Sequence, residues 1–197
     1  MGLIAYWYIL YSMAKFNQHI TGHNLILLTG ERQIGKSTVC RQLVELLRQA
    51  NYQLSGLLTR RTGPNDLEVT ELPTEKAYAL TLPFDPLVSR PLGNFLFSPD
   101  ALNRSRTALE TCFPTQIFFL DELGPLELQH NQGWANVLPL LRQQSYETAV
   151  VVIRPGLLLQ AMQLLSSSIY TVVWVREDNR NILPKAIFRR LKEKPLC

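Results

Sequence analysis

The tightest constraint on the fold is a glycine-bordered stretch, Gly30-Glu31-Arg32-Gln33-Ile34-Gly35-Lys36-Ser37, set between two segments of different periodicity. Before it runs Asn24-Leu25-Ile26-Leu27-Leu28-Thr29, nearly continuous in apolar residues, as in a buried strand. After it, Lys36 to Ala50 places Val39, Leu43, Val44, Leu46 and Leu47 at helical spacing. The two glycines let the backbone turn tightly, so the loop amides and the first turn of the helix converge without side-chain obstruction. Converging N–H groups at the positive end of a helix dipole make a seat for oxyanions, a phosphate chain above all. Lys36 is placed to reach the β- and γ-phosphates and Ser37 to face a Mg²⁺ ion. Gly30, Glu31, Arg32, Gln33, Ile34, Gly35, Lys36, Ser37 and Thr38 are therefore the expected contacts of a nucleoside triphosphate. Four fixed positions recur by chance in roughly 1% of chains of this size. The flanking strand and helix lower that further, which sets aside an ordinary glycine-rich turn.

Downstream, Ser55 to Arg60 reads as a strand, Leu67 to Leu72 alternates with period two, and Lys76 to Leu82 is a candidate to pair with it. Gly63-Pro64-Asn65-Asp66 is dense in turn formers, so residues 55–97 form a β-rich excursion. Ser98-Pro99-Asp100 opens a helix running to about Thr111, with Ser98 as N-cap and Pro99 in its first turn. Ile117-Phe118-Phe119-Leu120 is a fully apolar run that closes on Asp121-Glu122. Helix 133–144, strand Thr148 to Ile153, helix 156–165, strand Ile169 to Val175 and helix 181–192 complete the alternation. This order predicts a three-layer α/β/α fold with a central, mostly parallel sheet and a β-hairpin excursion, its ligand crevice at the C-terminal strand ends.

That crevice is where Asp121 and Glu122 fall. Asp121 is expected to hold the metal with Ser37, through its water shell, and Glu122 to polarise an attacking water. Arg154, just past Ala149 to Ile153, has two readings: a catalytic arginine on the γ-phosphate, or a surface side chain before Pro155-Gly156. Arg60 and Arg61 carry the same ambiguity between phosphate or base contact and solvent. Gly124 gives Asp-x-x-Gly spacing, but no Asn-Lys-x-Asp stretch comes after it, so a switch GTPase is discounted.

The chain has 197 residues, enough for one α/β domain, and its 46% apolar and 18% charged content is that of a folded protein. A net charge of +4 suits an anionic ligand and is far from the dense positive stripe of a nucleic-acid binder, so no nucleic-acid partner is expected. Cys40, Cys112 and Cys197 have neither metal-ligand nor CxxC spacing and read as reduced thiols of a cytoplasmic protein. His19, His23 and His130 show no zinc spacing, and no Ser-His-Asp elbow motif is present. Arg189, Arg190, Lys192 and Lys194 form a basic helix end that complements the dipole and reads as a solvated face. Met1 to Ala14 is apolar and aromatic, shorter than the ~20 residues of a membrane span and without secretory-signal features, so no transmembrane segment is expected. The division expected is an extension over residues 1–20 and a phosphate-loop domain over 21–197. For the extension three readings stay open: an element packed on the domain, a partner or membrane-surface anchor, or residues upstream of a start at Met13.

Asp121-Glu122-Leu123-Gly124-Pro125-Leu126-Glu127-Leu128 resembles the Asp-Glu-Ile-Gly-x-Met-Glu-Leu signature of the THEP1-type nucleoside-triphosphatase family. Ser55-Gly56-Leu57-Leu58-Thr59 is similar to that family's Gly-Phe-x-Thr strand, Gly93 to Phe97 to the stretch before its middle helix, and Arg176 to Pro184 to its Asn-Arg-Asp-x-Leu-Pro ending. The resemblance covers residues 24 to 192. It implies a small Mg²⁺-dependent enzyme that hydrolyses NTPs to NDP and phosphate with low base selectivity, using Lys36, Glu122 and Arg154 in catalysis and Ser37 and Asp121 for the metal. Two features depart from the pattern: Arg60-Arg61 stands where the family has Glu-Val-Arg, and Asn65-Asp66-Leu67-Glu68 where it has an Arg-x-Gly-Phe hairpin. Leu126 replaces the signature Met, a swap of similar volume. Gly124 and Glu127 read as architecture, Glu127 either behind the site or solvated. A nucleotide, nucleoside or small-molecule kinase and a nucleotide-gated binding module are the alternatives. Base preference and oligomeric state, monomer included, do not follow from the residues.

Overall fold

The computed structural model describes residues 24–83, 95–166 and 168–193. β1 (Asn24–Thr29) is buried along almost its whole length, and its side chains alternate between two cores: Leu25 and Leu27 face one, Ile26 and Leu28 the other. Such double burial leaves no polar face, which is why the strand reads as an unbroken apolar run. Each fully buried Leu stabilises the fold by about 2 kcal/mol.

Six more strands join it: β2 (Leu54–Arg61), β3 (Leu67–Glu71), β4 (Ala77–Ala79), β5 (Thr115–Leu123), β6 (Tyr146–Ile153) and β7 (Tyr170–Trp174). Their order across the sheet is β4-β3-β2-β5-β6-β1-β7. The five strands β2, β5, β6, β1 and β7 pair in parallel, whereas β3 and β4 add antiparallel, as the hairpin excursion requires. One face is covered by α1 (Lys36–Gln49) and α6 (Leu183–Lys192), which bury Val39, Leu43, Leu47, Ile187 and Leu191 together. The opposite face is covered by α2 (Pro99–Glu110), α4 (Val137–Gln143) and α5 (Leu158–Leu164), with the single turn α3 (Pro125–Leu128) beside them. The expected three-layer α/β/α architecture is the one observed.

Local details differ from the sequence reading for physical reasons. The helix expected over 133–144 begins only at Val137. Gly133 adopts a left-handed φ of 56° and the Trp134 amide bonds the Glu127 carboxylate, so the chain turns there. The segment expected as helix 156–165 opens with a 3₁₀ turn, Pro155–Leu157, before α5. β5 extends past its apolar run, because β6 keeps pairing with it as far as Leu123 opposite Ile153, so Asp121 and Glu122 lie within the strand's last residues. Ser98 caps α2 as expected, its hydroxyl accepting from the Ala101 amide at 3.2 Å. Cys40 and Cys112 are buried and unbridged. Among the described residues no helix is long and apolar enough to cross a membrane. Met1 to Ala14, His19, His23, Lys194 and Cys197 lie outside the described residues.

Candidate active site

The loop after β1 is held in an open turn by its glycines. Gly30 has φ 151°, and a Cβ there would press on the Val175 carbonyl and the Ile34 side chain; Gly35 has φ 110° and starts α1. Both sit where an L side chain is strained. The residues after β7 brace the loop from behind. Val175 donates its amide to the Thr29 carbonyl at 2.7 Å, and Arg180 reaches the Ile34 carbonyl at 3.3 Å. Asn179 fixes that bracing segment, accepting from the Arg176 amide at 2.8 Å and donating to the Trp174 carbonyl at 2.9 Å.

Lys36 folds back over the loop, its Nζ donating to the carbonyls of Gly30 at 2.7 Å and Glu31 at 2.8 Å. Burial pulls its ammonium below the ordinary value of 10.5, while the charges of Glu122 and Asp121 pull the other way. Glu31, Arg32 and Gln33 are exposed, Gln33 with φ 62°, and Thr38 is exposed with its hydroxyl accepting from Arg41 at 3.2 Å.

The carboxylates come from β5. Its register against β6 shifts between Leu120 and Leu123, and the Asp121–Glu122 peptide in that interval is cis. A bulge of this kind re-aims side chains at the end of a strand. Asp121 is 2% exposed. Burial pushes its carboxyl up to about 7; the Ser37 hydroxyl bonded to it opposes the rise, Glu122 adds to it, and Arg41 and Lys36 oppose it. Its Oδ2 has no hydrogen-bond partner among the described residues. Glu122 is half-buried and forms an ion pair with Arg154, which comes directly after β6. Because β6 lies between β1 and β5, Arg154 enters between the phosphate loop and the carboxylates.

Glu127 is buried, which rules out its solvated reading: its Oε2 accepts from the Gly124 amide at 2.9 Å and its Oε1 from the Trp134 amide at 3.2 Å. Burial raises its carboxyl above the usual range, against the pull of those two amides. Trp134 in turn donates its indole N–H to Ser105 of α2 at 2.7 Å. The loop beyond Asp121-Glu122 is thereby pinned to a helix on one face of the sheet.

The loop residues 30–33 and 35–38 open with Asp121, Glu122, Glu127 and Arg154 onto one cleft of about 1020 Å³, which runs on to Arg60, Arg61, Phe97 and Trp134; Ile34, expected as a contact, is not part of its lining and instead packs against the core behind the loop. Arg60 pairs with Glu68 at 2.9 Å and Arg61 donates to the Pro64 carbonyl at 3.2 Å; both are exposed. His130 is also exposed on the rim. Arg189 and Lys192 are exposed on α6, away from this lining, with Lys192 over the Phe188 ring at 5.6 Å. Two contributors carry a signal in the sequence that motif reasoning misses. Arg41 stands four positions after Ser37, so helical spacing alone sets it on the same face. Arg180 enters the sequence reading only as part of a resemblance. Trp134 and Ser105, by contrast, have no local pattern that links them.

A glycine-bordered phosphate loop entering a helix, facing strand-end carboxylates across a parallel sheet, defines the class of phosphate-loop nucleotide-binding proteins. A family model described as NTPase matches residues 25–188, and the chain belongs to that family, of THEP1 type. The nucleoside-triphosphatase THEP1 of Methanopyrus kandleri is 29% identical over 117 residues, which span 55% of this chain and 62% of that protein. The match therefore covers less than two thirds of that relative's length. The crystal structure of THEP1 from the hyperthermophile Aquifex aeolicus shares the fold, with a TM-score of 0.61 and 15% identity over 86% of this chain and 99% of that one.

Proposed function

We propose that this protein hydrolyses nucleoside triphosphates to the diphosphate and phosphate, with Mg²⁺ and with little selectivity for the base. The observation that carries the reading is Asp121: a buried carboxylate bonded to the Ser37 hydroxyl, with one oxygen left without a protein partner, facing the loop that would hold the phosphates. A hydroxyl and a single carboxylate suit Mg²⁺, which keeps most of its waters and takes its remaining ligands from phosphate oxygens. Among the described residues no cluster of three His, Cys, Asp or Glu side chains offers a protein-only cage. Ser37 and Asp121 would hold the ion, which when bound neutralises charge on the β- and γ-phosphates.

The protein's own groups do the rest. Lys36 exchanges the Gly30 and Glu31 carbonyls for phosphate oxygens, and the loop amides donate to the same chain. Glu122, held in place by Arg154, accepts a hydrogen bond from a water and aims it at the γ-phosphorus. Arg154, which lines the same cleft, would share the charge that develops there. Low base selectivity is supported by the general designation of the Methanopyrus relative as a nucleoside-triphosphatase. The mildly basic, thiol-bearing composition fits a reducing compartment, and a cytoplasmic location is part of this proposal.

The test is phosphate release from ATP, GTP, CTP and UTP with and without Mg²⁺. Release from all of them, dependent on the ion and reduced by about 100-fold or more in Glu122→Gln, is expected. No release from any NTP, or full turnover in that variant, overturns the reading.

A further inference from the structure

The cleft starts at the phosphate loop and passes the carboxylates of β5, and the place of those carboxylates along it decides which part of an NTP reaches each stretch. The segment after β7 braces the phosphate loop on one side, with Arg180 against Ile34. The carboxylates of β5 stand on the other side. On the reading that Lys36, Ser37 and Asp121 gather around the β- and γ-phosphates, the γ end points toward the carboxylates of β5 and the nucleoside away from them. The cleft nevertheless continues past β5, over β2 and the hairpin, as far as α2. An NTP held by its phosphates on the loop does not extend there.

This far recess has a chemistry of its own. Its wall is apolar: Leu67 and Phe97 are half-buried, and Trp134 closes the back at 3% exposure. At its mouth the end of β2 presents Arg60 and Arg61, and the Arg61 guanidinium lies 5.1 Å from the centre of the Phe95 ring. Their present partners, Glu68 and a loop carbonyl, are solvent-exposed contacts of the kind worth little, so an anion of suitable shape displaces them readily. Guanidinium pairs bind phosphate oxygens in a fork, and a planar ring packs against aromatic and aliphatic walls.

We propose that the recess is the seat of a second ligand, a nucleoside monophosphate, which accepts the γ-phosphoryl group when it displaces the attacking water. The inference rests on the NTP-binding reading above. In the transfer, an oxygen of the monophosphate dianion forms a bond to the γ-phosphorus. The bond from that phosphorus to the β,γ-bridging oxygen breaks, and its electron pair leaves with the diphosphate. Two diphosphates result, and no proton is gained or lost.

The experiment has three arms on the full chain. Phosphate release from γ-labelled ATP with Mg²⁺ and no other nucleotide reports on hydrolysis alone, so a failure of the parent reading shows here and is distinguished from a failure in the two monophosphate arms. AMP, GMP, CMP and UMP are then titrated calorimetrically into protein saturated with a β,γ-methylene ATP analogue and Mg²⁺. Saturable binding of at least one is expected, weakened by about tenfold or more in Arg60→Ala/Arg61→Ala, the scale of one charge-assisted hydrogen bond. A thermal melt of the variant establishes that it is folded. Finally, γ-labelled ATP is supplied with the bound monophosphate, and label is expected in the new diphosphate. Phosphate release without saturable binding by any monophosphate, binding that the folded double variant retains in full, or label found only in inorganic phosphate overturns the proposal.

Discussion

The phosphate loop and the carboxylate strand face each other across one cleft, yet they are made by different means. The loop is built mainly from consecutive residues, a strand, two glycines and a helix start, with Lys36 bonding its carbonyls from within and Arg180 bracing it from behind. The carboxylate side is assembled from distance. Asp121 and Glu122 are aimed by a register shift against β6, and the loop behind them is tied through Glu127 and Trp134 to Ser105 on α2. A site built from consecutive residues tolerates change around it, whereas one built by packing transmits damage from residues that touch no ligand.

Substitutions on the two sides sharpen that contrast. The largest expected effect is on the loop side: Lys36→Ala should lower turnover by roughly 100- to 1,000-fold, the scale for loss of one charge-stabilising donor, while the melting temperature stays near that of the parent. A collapse of stability in that variant would mean that the loop depends on its lysine for shape.

Glu127→Ala should do the reverse. It leaves the Gly124 and Trp134 amides buried without acceptors, a cost of about 2–4 kcal/mol, readable by denaturant titration. Glu127→Gln, which keeps one carbonyl oxygen for these amides, should recover part of that loss. Stability of the alanine variant equal to that of the parent would show that the carboxylate loop is held by other contacts.

Asp121 yields a pH signature. Its carboxyl is raised from 3.8 to about 7 in the folded protein, so between those values the folded state holds a proton that the unfolded state has released. Stability from this group is therefore complete below about pH 4 and is lost as pH rises through 7. In nucleotide-free, Mg²⁺-free protein, Asp121→Asn should flatten the fall in melting temperature across this window and raise the value at pH 8, while removing Mg²⁺-dependent turnover. An unchanged pH slope would count against burial as the cause of the shift.

The smallest effect is expected at the far end of the tether. Trp134→Phe removes the indole donor to Ser105 while keeping most of the ring's packing, a loss of about 1 kcal/mol. If turnover then falls along with stability, the tether also sets the position of Glu122; if stability alone falls, it serves only the fold.

Much of the architecture was legible in the sequence because its signals are short-range. The apolar run at Leu25–Leu28, the glycines at 30 and 35, the helical spacing from Val39 to Leu47 and the Ser98 cap each act within a few residues, and each appears where its local chemistry requires. Element ends were less legible. Whether Trp134 starts a helix or gives its amide to Glu127 depends on a carboxylate seven residues back, and the length of β5 depends on neighbours recruited from elsewhere in the chain.

The amino-acid order by itself determined the phosphate loop, the alternation of strands and helices, and the carboxylates that close β5, since these arise from steric freedom, periodicity and apolar burial along the chain. Only the tertiary structure decided that β6 lies between loop and carboxylates and so brings Arg154 onto Glu122, that Glu127 is buried, and that the cleft runs on to Arg60, Arg61 and Trp134. Those features depend on which strands become neighbours, a choice made by the packing of two whole faces of the sheet, to which no single segment of the chain holds the answer.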